Sequence, residues 1–180
     1  MFKNCIHMKH KHMHSFISDL HQFHCLKSHL HERVVDLVQH TSFTKVRRHL
    51  EKLLITTAQQ LSYIDILYDL LNEKSSFNDL DLLIDDIELL YDKISNEIHV
   101  PELAHNFLCD YIGKIQSAEL VLHSFLHAGA IRERIPGLDF SIFSKLQGDS
   151  SLFEVNLKKC YPRSFDSYSI LLQRHRHSGN

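Results

Sequence analysis

Apolar side chains recur every three or four residues through most of this chain, the spacing that lines one face of an α-helix. The periodicity predicts a first helix over residues 15–39, a second that runs to about Asn72, a third over residues 80–94 and a fourth from Pro101 to near Gly129. Only five glycines and three prolines interrupt the 180 residues, which favours long helices and few turns. Because no segment carries a strand pattern of any length, the sequence predicts an all-α fold.

The expected helix boundaries come from residues that cap or break helices. Thr41 or Ser42 is suited to cap the second helix, and Ser76 with Asp79 has the spacing of a capping box at the start of the third. Residues 131–148 lack the helical pattern and contain a proline and two glycines. We therefore predict a connection there.

The rest of the chain completes one domain. From Asp149 the chain is expected to be helical again, and Pro162 is expected to divide this last part. The prediction is a single-domain bundle of about five to seven helices over residues 15–180. Residues 1–14 are rich in histidine and are predicted to form a disordered tail.

Composition and charge exclude several classes of protein. No apolar run reaches the roughly 18 residues that a membrane-spanning helix needs, and no apolar core of a secretory signal follows the basic start. The four cysteines are scattered without a CxxC pair, which favours a reducing, cytoplasmic setting. Residues 1–50 carry eight Lys and Arg against three Asp and Glu, whereas residues 51–100 carry three against eleven. The basic residues do not interleave with aromatic ones, so nucleic acid is not an expected partner.

Histidine is unusually frequent, with 16 in the chain and ten of them within the first 49 residues. Closely spaced neutral imidazoles can chelate zinc, nickel or copper. The segment HMKHKHMH therefore predicts weak metal binding through His7, His10, His12 and His14. Incidental chelation by a disordered terminus is the alternative, since a structural zinc site needs four ligands at set distances.

Helical pitch separates the histidines of the first helix. His24 and His31 lie two turns apart and share a face, whereas His29 points about 160° away from His31. His31 falls at the border of the apolar face, where a buried ligand histidine would sit, and a satisfied boundary residue is the alternative. His123 and His127 form one i,i+4 pair, but no ExxH partners accompany them as a di-iron bundle site requires.

Three segments, in their order and spacing, resemble the bacterial heme oxygenases. The first, LKSHLHERVVDLVQHTSFTKVRRHLEKLLITTAQQLSYIDILYDLL, is similar to that family's first helix, link and long second helix. DLLIDDIELL (81–90) resembles the segment that follows, and LAHNFLCDYIGKIQSAELV (103–121) is similar to the distal helix. The resemblance covers roughly residues 20–130 and implies a heme-oxygenase-like bundle.

The resemblance implies specific roles. His31 would be the proximal ligand of heme iron, and Gly113 the catalytic position, because glycine lets the distal backbone approach the iron and its bound oxygen closely. The family has two or three glycines there and a threonine at the position of Lys27, so this chain departs from it at both places. The other residues implied to contact the heme or its propionates are Lys27, Tyr111, Gln116, Ser117, Lys158, Lys159 and Arg163.

The implied activity is O₂- and electron-dependent cleavage of heme to biliverdin, iron and carbon monoxide, with heme as both substrate and cofactor. A ferredoxin, a flavodoxin or a reductase would supply the electrons. The first alternative is a non-catalytic member of the same fold that binds heme, another tetrapyrrole or a protein partner, which the lost glycines favour. Further alternatives are a histidine-rich protein that binds divalent metals and a helical adaptor without a ligand.

Overall fold

A computed structural model describes the backbone of residues 2–76 and 81–147, and the side chains of residues 13–76 and 84–147. Over this part of the chain the regular structure is helical throughout, which confirms the predicted all-α, multi-helix bundle. None of the described helices is long and apolar enough to cross a bilayer. The helices are α1 (Phe2–Gln39), α2 (Arg47–Leu71), α3 (Asp81–Asn96), α4 (Pro101–Glu133) and α5 (Ser141–Gln147).

The long helix α1 lies between α2 and α4 and is antiparallel to both. Its early residue His21 packs on Tyr68 near the end of α2, with the ring centres 5.5 Å apart. Phe16 of α1 likewise lies against Gly129 near the end of α4. α3 packs on α4, and the short α5 contacts both α2 and α4. Every other helix therefore borders α1 or one of its two neighbours.

The core forms from the helical faces that the apolar spacing predicts. Burial of one large apolar side chain contributes roughly 1.5–3 kcal/mol relative to its exposure, so these faces determine how the helices pack. α1 contributes a continuous row of buried residues, Phe16, Leu20, Phe23, Leu26, Leu30, Val34 and Leu37. The largest fully buried side chains from the other elements include Phe43, Leu50, Ile64, Leu67, Ile87, Tyr111 and Phe143.

The link between α1 and α2 differs from the prediction that Thr41 or Ser42 caps the second helix. Residues Thr41–Phe43 form one 3₁₀ turn, and Nδ1 of His40 accepts a hydrogen bond from the Ser42 backbone N–H at 3.2 Å. α2 then begins at Arg47 without a side-chain cap. The buried Phe43 fixes this turn, so apolar packing sets the start of α2.

The residue that follows α2 and the residue that follows α4 both adopt the left-handed backbone conformation. α2 ends where the sequence predicts, with Asn72 at φ 53°, a conformation that asparagine tolerates. α4 continues past its predicted end near Gly129 to Glu133, and Arg134 takes the left-handed position at φ 49°. The predicted first-turn position of Pro101 in α4 is confirmed. Asp79 of the predicted capping box with Ser76 lies outside the described residues.

Gly129 is therefore an interior residue of α4 and not its terminus. A Cβ atom at this position would lie 2.9 Å from Cδ2 of Phe16. The glycine is needed because α1 and α4 approach closely here, and helix termination plays no part.

The predicted connection at residues 131–148 contains a helix, α5. Asp139 starts it, because its carboxylate accepts hydrogen bonds from the backbone N–H and the hydroxyl of Ser141 at 2.9 and 2.6 Å. Ile142, Phe143 and Leu146 of α5 are buried. With only two turns, α5 is too short to show a helical repeat in sequence.

The backbone of α1 is helical from Phe2, where the sequence analysis predicts a disordered tail over residues 1–14. The side chains of residues 1–12, including the predicted ligands His7, His10 and His12, lie outside the described residues. The predicted helices after Asp149 also lie outside them.

Candidate functional site

The histidines of α1 point toward different neighbours, as their helical pitch predicts. His24 contacts Tyr68 of α2 edge-on, with the ring centres 5.6 Å apart. His29, nearly on the opposite side of α1, contacts Tyr111 of α4 with the ring centres 6.0 Å apart. His31 is half-buried. α1 therefore has one histidine-bearing border near α2 and another near α3 and α4.

A buried ion pair joins α1 to α4. Nζ of Lys27 lies 2.5 Å from Oε1 of Glu119, and the two side chains are 3% and 9% exposed. Burial lowers the pKa of Lys27, while the Glu119 carboxylate opposes that shift. Lys27 was expected at the mouth of a heme pocket. It instead neutralises a buried carboxylate, so it is not available to bind a propionate.

A second group of charged residues lies where α1 meets α3. Arg33 of α1 forms an ion pair with Glu88 of α3, and Nδ1 of His29 lies 3.5 Å from the same carboxylate. The guanidinium of Arg33 also stacks over the Tyr91 ring at 4.6 Å. The hydroxyl of Tyr91 donates to Asp36 at 3.2 Å. This cluster, His29, Arg33, Asp36, Glu88 and Tyr91, ties α3 to the face of α1 that His31 does not share.

Tyr111 extends this group into the core. Its side chain is fully buried, and its hydroxyl has no hydrogen-bond partner among the described residues. Its ring centre lies 6.0 Å from those of His29 and Tyr91. Burial raises its pKa well above the ordinary tyrosine range. The resemblance placed Tyr111 beside heme, whereas the structure packs it between α1 and α3.

His31 lies on the other border of α1. Its Nδ1 atom is buried and has no hydrogen-bond partner among the described residues. Lys27 is one turn before His31 and pairs with Glu119, so in antiparallel helices His31 lies at the level of residues about one turn before Glu119. These residues are Gln116 and its neighbours on α4. His31 and the segment around Gln116 therefore lie at one level of the bundle.

The predicted distal residues of α4 have ordinary helical surroundings. Gly113 and Gln116 are half-buried and Ser117 is exposed. The Ser117 hydroxyl donates to the Gly113 carbonyl at 2.9 Å. Apart from the neighbouring backbone of α4 itself, a Cβ added at Gly113 would meet no heavy atom of the described residues within 4 Å. Nothing in the described part of the chain therefore requires glycine at this position, and there is open space beside it.

The remaining predicted site residues are not brought to His31 by any described contact. Lys158, Lys159 and Arg163 lie outside the described residues, and His14 is exposed on α1. No group of three His, Cys, Asp or Glu side chains suited to a metal occurs in the part of the chain with described side chains. His123 instead bonds through Nε2 to the Phe143 carbonyl at 2.8 Å.

These positions fit heme only in part. His31 offers an imidazole at the edge of the core, which suits an axial ligand. Lys27 and Tyr111 do not fit, because both are buried in contacts between helices. A histidine that ligates a metal ordinarily donates its second ring N–H to an acceptor, and Nδ1 of His31 has none among the described residues.

Two features of this region were missed from sequence alone. Lys27 and Glu119 both occupy positions on the apolar faces of their helices, between Phe23 and Leu30 and between Ile115 and Leu122. A charged residue at such a position is a signal for a buried pair. The burial of His29 had no comparable signal, because it depends on where α3 packs.

Comparison with known protein families, curated proteins and solved structures finds no match for this chain.

Acid is expected to destabilise the fold. Burial lowers the pKa of His24, His29 and His105 below the ordinary value of 6.5, and in His29 this outweighs the effect of Glu88. The unfolded chain then binds protons that the folded chain resists, so stability falls as the pH drops below about 6.5 toward the folded pKa values. Urea unfolding at pH 7.5 and 5.5 measures this loss.

A His29→Phe variant should show a smaller loss between these two pH values, because it removes one of the three groups. Asp19 and Asp110, whose pKa values burial raises, act in the opposite direction nearer to pH 4. The comparison therefore stops at pH 5.5. Equal stability at both pH values would contradict the prediction.

Proposed function

We propose that this protein binds a heme-type tetrapyrrole through His31 and does not cleave it. The observation that supports binding is the position of His31, half-buried at the edge of the core, at the level of the α4 residues about one turn before Glu119. The resemblance to the heme oxygenases supplies the ligand class. The chain has a single glycine between residues 101 and 128, which supports binding without turnover.

The contacts of α1 with α4 also favour binding over cleavage. The buried pair of Lys27 with Glu119 and the packing of His29 on Tyr111 hold the two helices directly against each other. A ligand at His31 would therefore lie along this helix pair, on the border that His29 does not share. Bound heme would supply iron with one position held by the imidazole. Consistent with the scattered cysteines, the proposal assumes a reducing, cytoplasmic setting.

Hemin titration tests the role of His31. We expect the full chain to give a sharp Soret band and His31→Ala to weaken hemin binding by about tenfold or more, since an axial ligand contributes well over 1.4 kcal/mol. His24→Ala, which changes a histidine on the same face two turns earlier, is the matched control and should bind as the wild type does. His14→Ala controls for loose binding by exposed histidines. Equal losses in all three variants would show that hemin binds without a defined axial ligand.

A turnover assay then separates binding from cleavage. The hemin complex is supplied with O₂ and with electrons from a ferredoxin, a flavodoxin or a chemical reductant. We expect the Soret band to persist. Bleaching of this band with the appearance of a verdin absorption would contradict the non-catalytic part of the proposal and leave the heme oxygenase alternative.

A further inference from the structure

The outer face of α4 is apolar, exposed and almost without charge. We define it by four residues, Leu120, Val121, Phe125 and Ile131, whose side chains are 59%, 52%, 53% and 55% exposed. Successive residues of an α-helix turn by 100°, so the four lie within one arc of less than half the helix circumference. Between Lys114 and Arg132 the helix carries a single charged residue, Glu119, and this is buried against Lys27.

An exposed face of this kind is unusual for a helix in water. Solvent-facing helix surfaces ordinarily carry charged residues, and contiguous apolar patches mark surfaces that contact something else. The neighbouring helix α5 covers only the border of α4 that carries His123 and His127. α1 and α3 pack on other sides of α4. No described element therefore covers the outer face.

The chain continues for 33 residues beyond α5, and this continuation begins beside α4. α5 ends at Gln147, and its Phe143 ring lies 5.3 Å from that of His127. Residues 148–172 span about 80 Å if fully extended, whereas the outer face from residue 120 to 131 is only about 18 Å long. The segment can therefore reach every part of this face.

The same segment is rich in apolar residues, as an element that covers an apolar face must be. Between Leu152 and Leu172 they are Leu152, Phe153, Val155, Leu157, Cys160, Tyr161, Phe165, Tyr168, Ile170, Leu171 and Leu172. Large apolar side chains of this number ordinarily find a surface to bury against. The outer face of α4 matches them, because burying it removes no charged side chain from water.

We propose that the outer face of α4 is the docking surface for the chain's own residues 148–172. The apolar side chains of this segment pack on Leu120, Val121, Phe125 and Ile131. This docking also positions Lys158, Lys159 and Arg163 along α4. The inference does not depend on heme binding, because it rests on the exposed apolar side chains of α4, although Gly113 lies on the same side of the helix, five turns before Ile131.

Limited trypsin digestion of the full chain tests the docking. Lys158, Lys159 and Arg163 are cleavage sites within the segment, and the exposed Lys74 in the link after α2 is an internal reference. We expect cleavage at the three sites to be about tenfold or more slower than at Lys74, because proteolysis requires a locally opened chain. Leu120→Asp and Phe125→Asp should each bring these rates close to that at Lys74.

The matched control is Ile66→Asp on α2, because Ile66 is 53% exposed, the same fraction as Phe125. It should leave cleavage of the segment unchanged. Three outcomes would overturn the proposal. The wild-type segment is cleaved as fast as Lys74, Ile66→Asp exposes it instead, or light scattering shows a dimer that Phe125→Asp converts to a monomer, in which case a second copy covers the face.

Discussion

Replacing Lys27 with methionine is expected to lower the free energy of unfolding by about 3–5 kcal/mol, one of the largest effects of any single substitution in this chain. The reason is the carboxylate of Glu119, which is 9% exposed and lies 2.5 Å from the ammonium of Lys27. Methionine fills much of the space of the lysine stem but leaves the carboxylate buried without its cation. Urea unfolding at pH 7.5, followed by circular dichroism, measures the loss.

Removal of both charges should behave differently from removal of one. The Lys27→Met/Glu119→Leu double variant is expected to be as stable as the wild type or more stable, because an ion pair in a low-dielectric core barely offsets its own desolvation. The pair Lys114 with Asp86 is the matched control, since its side chains are 44% and 65% exposed. Lys114→Met should change stability by about 1 kcal/mol or less.

The same variants show whether the contact between α1 and α4 depends on the Lys27–Glu119 ion pair. If Lys27→Met and Lys114→Met cost the same, the burial of Lys27 in the structure is contradicted. If the double variant is as unstable as Lys27→Met, the pair contributes net stability and is not merely tolerated.

The helices themselves follow from the sequence, because each long helix places apolar residues on one face and breaks at identifiable residues. The end of α2 at Asn72 and the start of α4 at Pro101 are examples. The seven-residue α5 could not be predicted, because two turns are too short for a repeat and its formation depends on burial of Phe143 against α4. The preference of glycine for helix ends predicts a terminus at Gly129. The structure instead requires glycine there because of its contact with Phe16, which lies 113 residues earlier in the chain.

The site was less predictable than the fold for a related reason. Helical pitch correctly placed His29 and His31 on different sides of α1, and both lie at borders of the apolar face. Which border becomes buried depends on the helix that covers it, and α3 covers the border of His29 through Glu88 and Tyr91. Sequence periodicity identifies a border but does not identify its neighbour. For that reason sequence periodicity does not predict the burial of His29. Tyr111 falls on the apolar spacing of the fourth helix, and only the resemblance places it beside heme.

Alanine at Gly129 and alanine at Gly113 are expected to have opposite effects, although both glycines lie in α4. Alanine is favoured over glycine inside a helix by about 1 kcal/mol, and at Gly113, where an added Cβ has no neighbour within 4 Å, we expect that stabilisation in full. At Gly129 the Cβ would lie 2.9 Å from Cδ2 of Phe16, whose side chain is 1% exposed and has no room to turn away. Overpacking of this kind costs about 1–3 kcal/mol, so Gly129→Ala should be destabilising overall.

A second substitution identifies the cause of the loss at Gly129. Phe16→Leu removes the ring atom that the new Cβ would contact, so Gly129→Ala should cost less in that background, by a coupling energy of about 0.5–3 kcal/mol. Additive losses would contradict the contact. Gly113→Ala also separates two reasons for glycine at that position. If it stabilises the fold and leaves hemin binding unchanged, the glycine has no role in the ligand site. If it stabilises the fold but weakens hemin binding, the open side of Gly113 is where the ligand approaches α4, because a single methyl group has then cost affinity without costing stability.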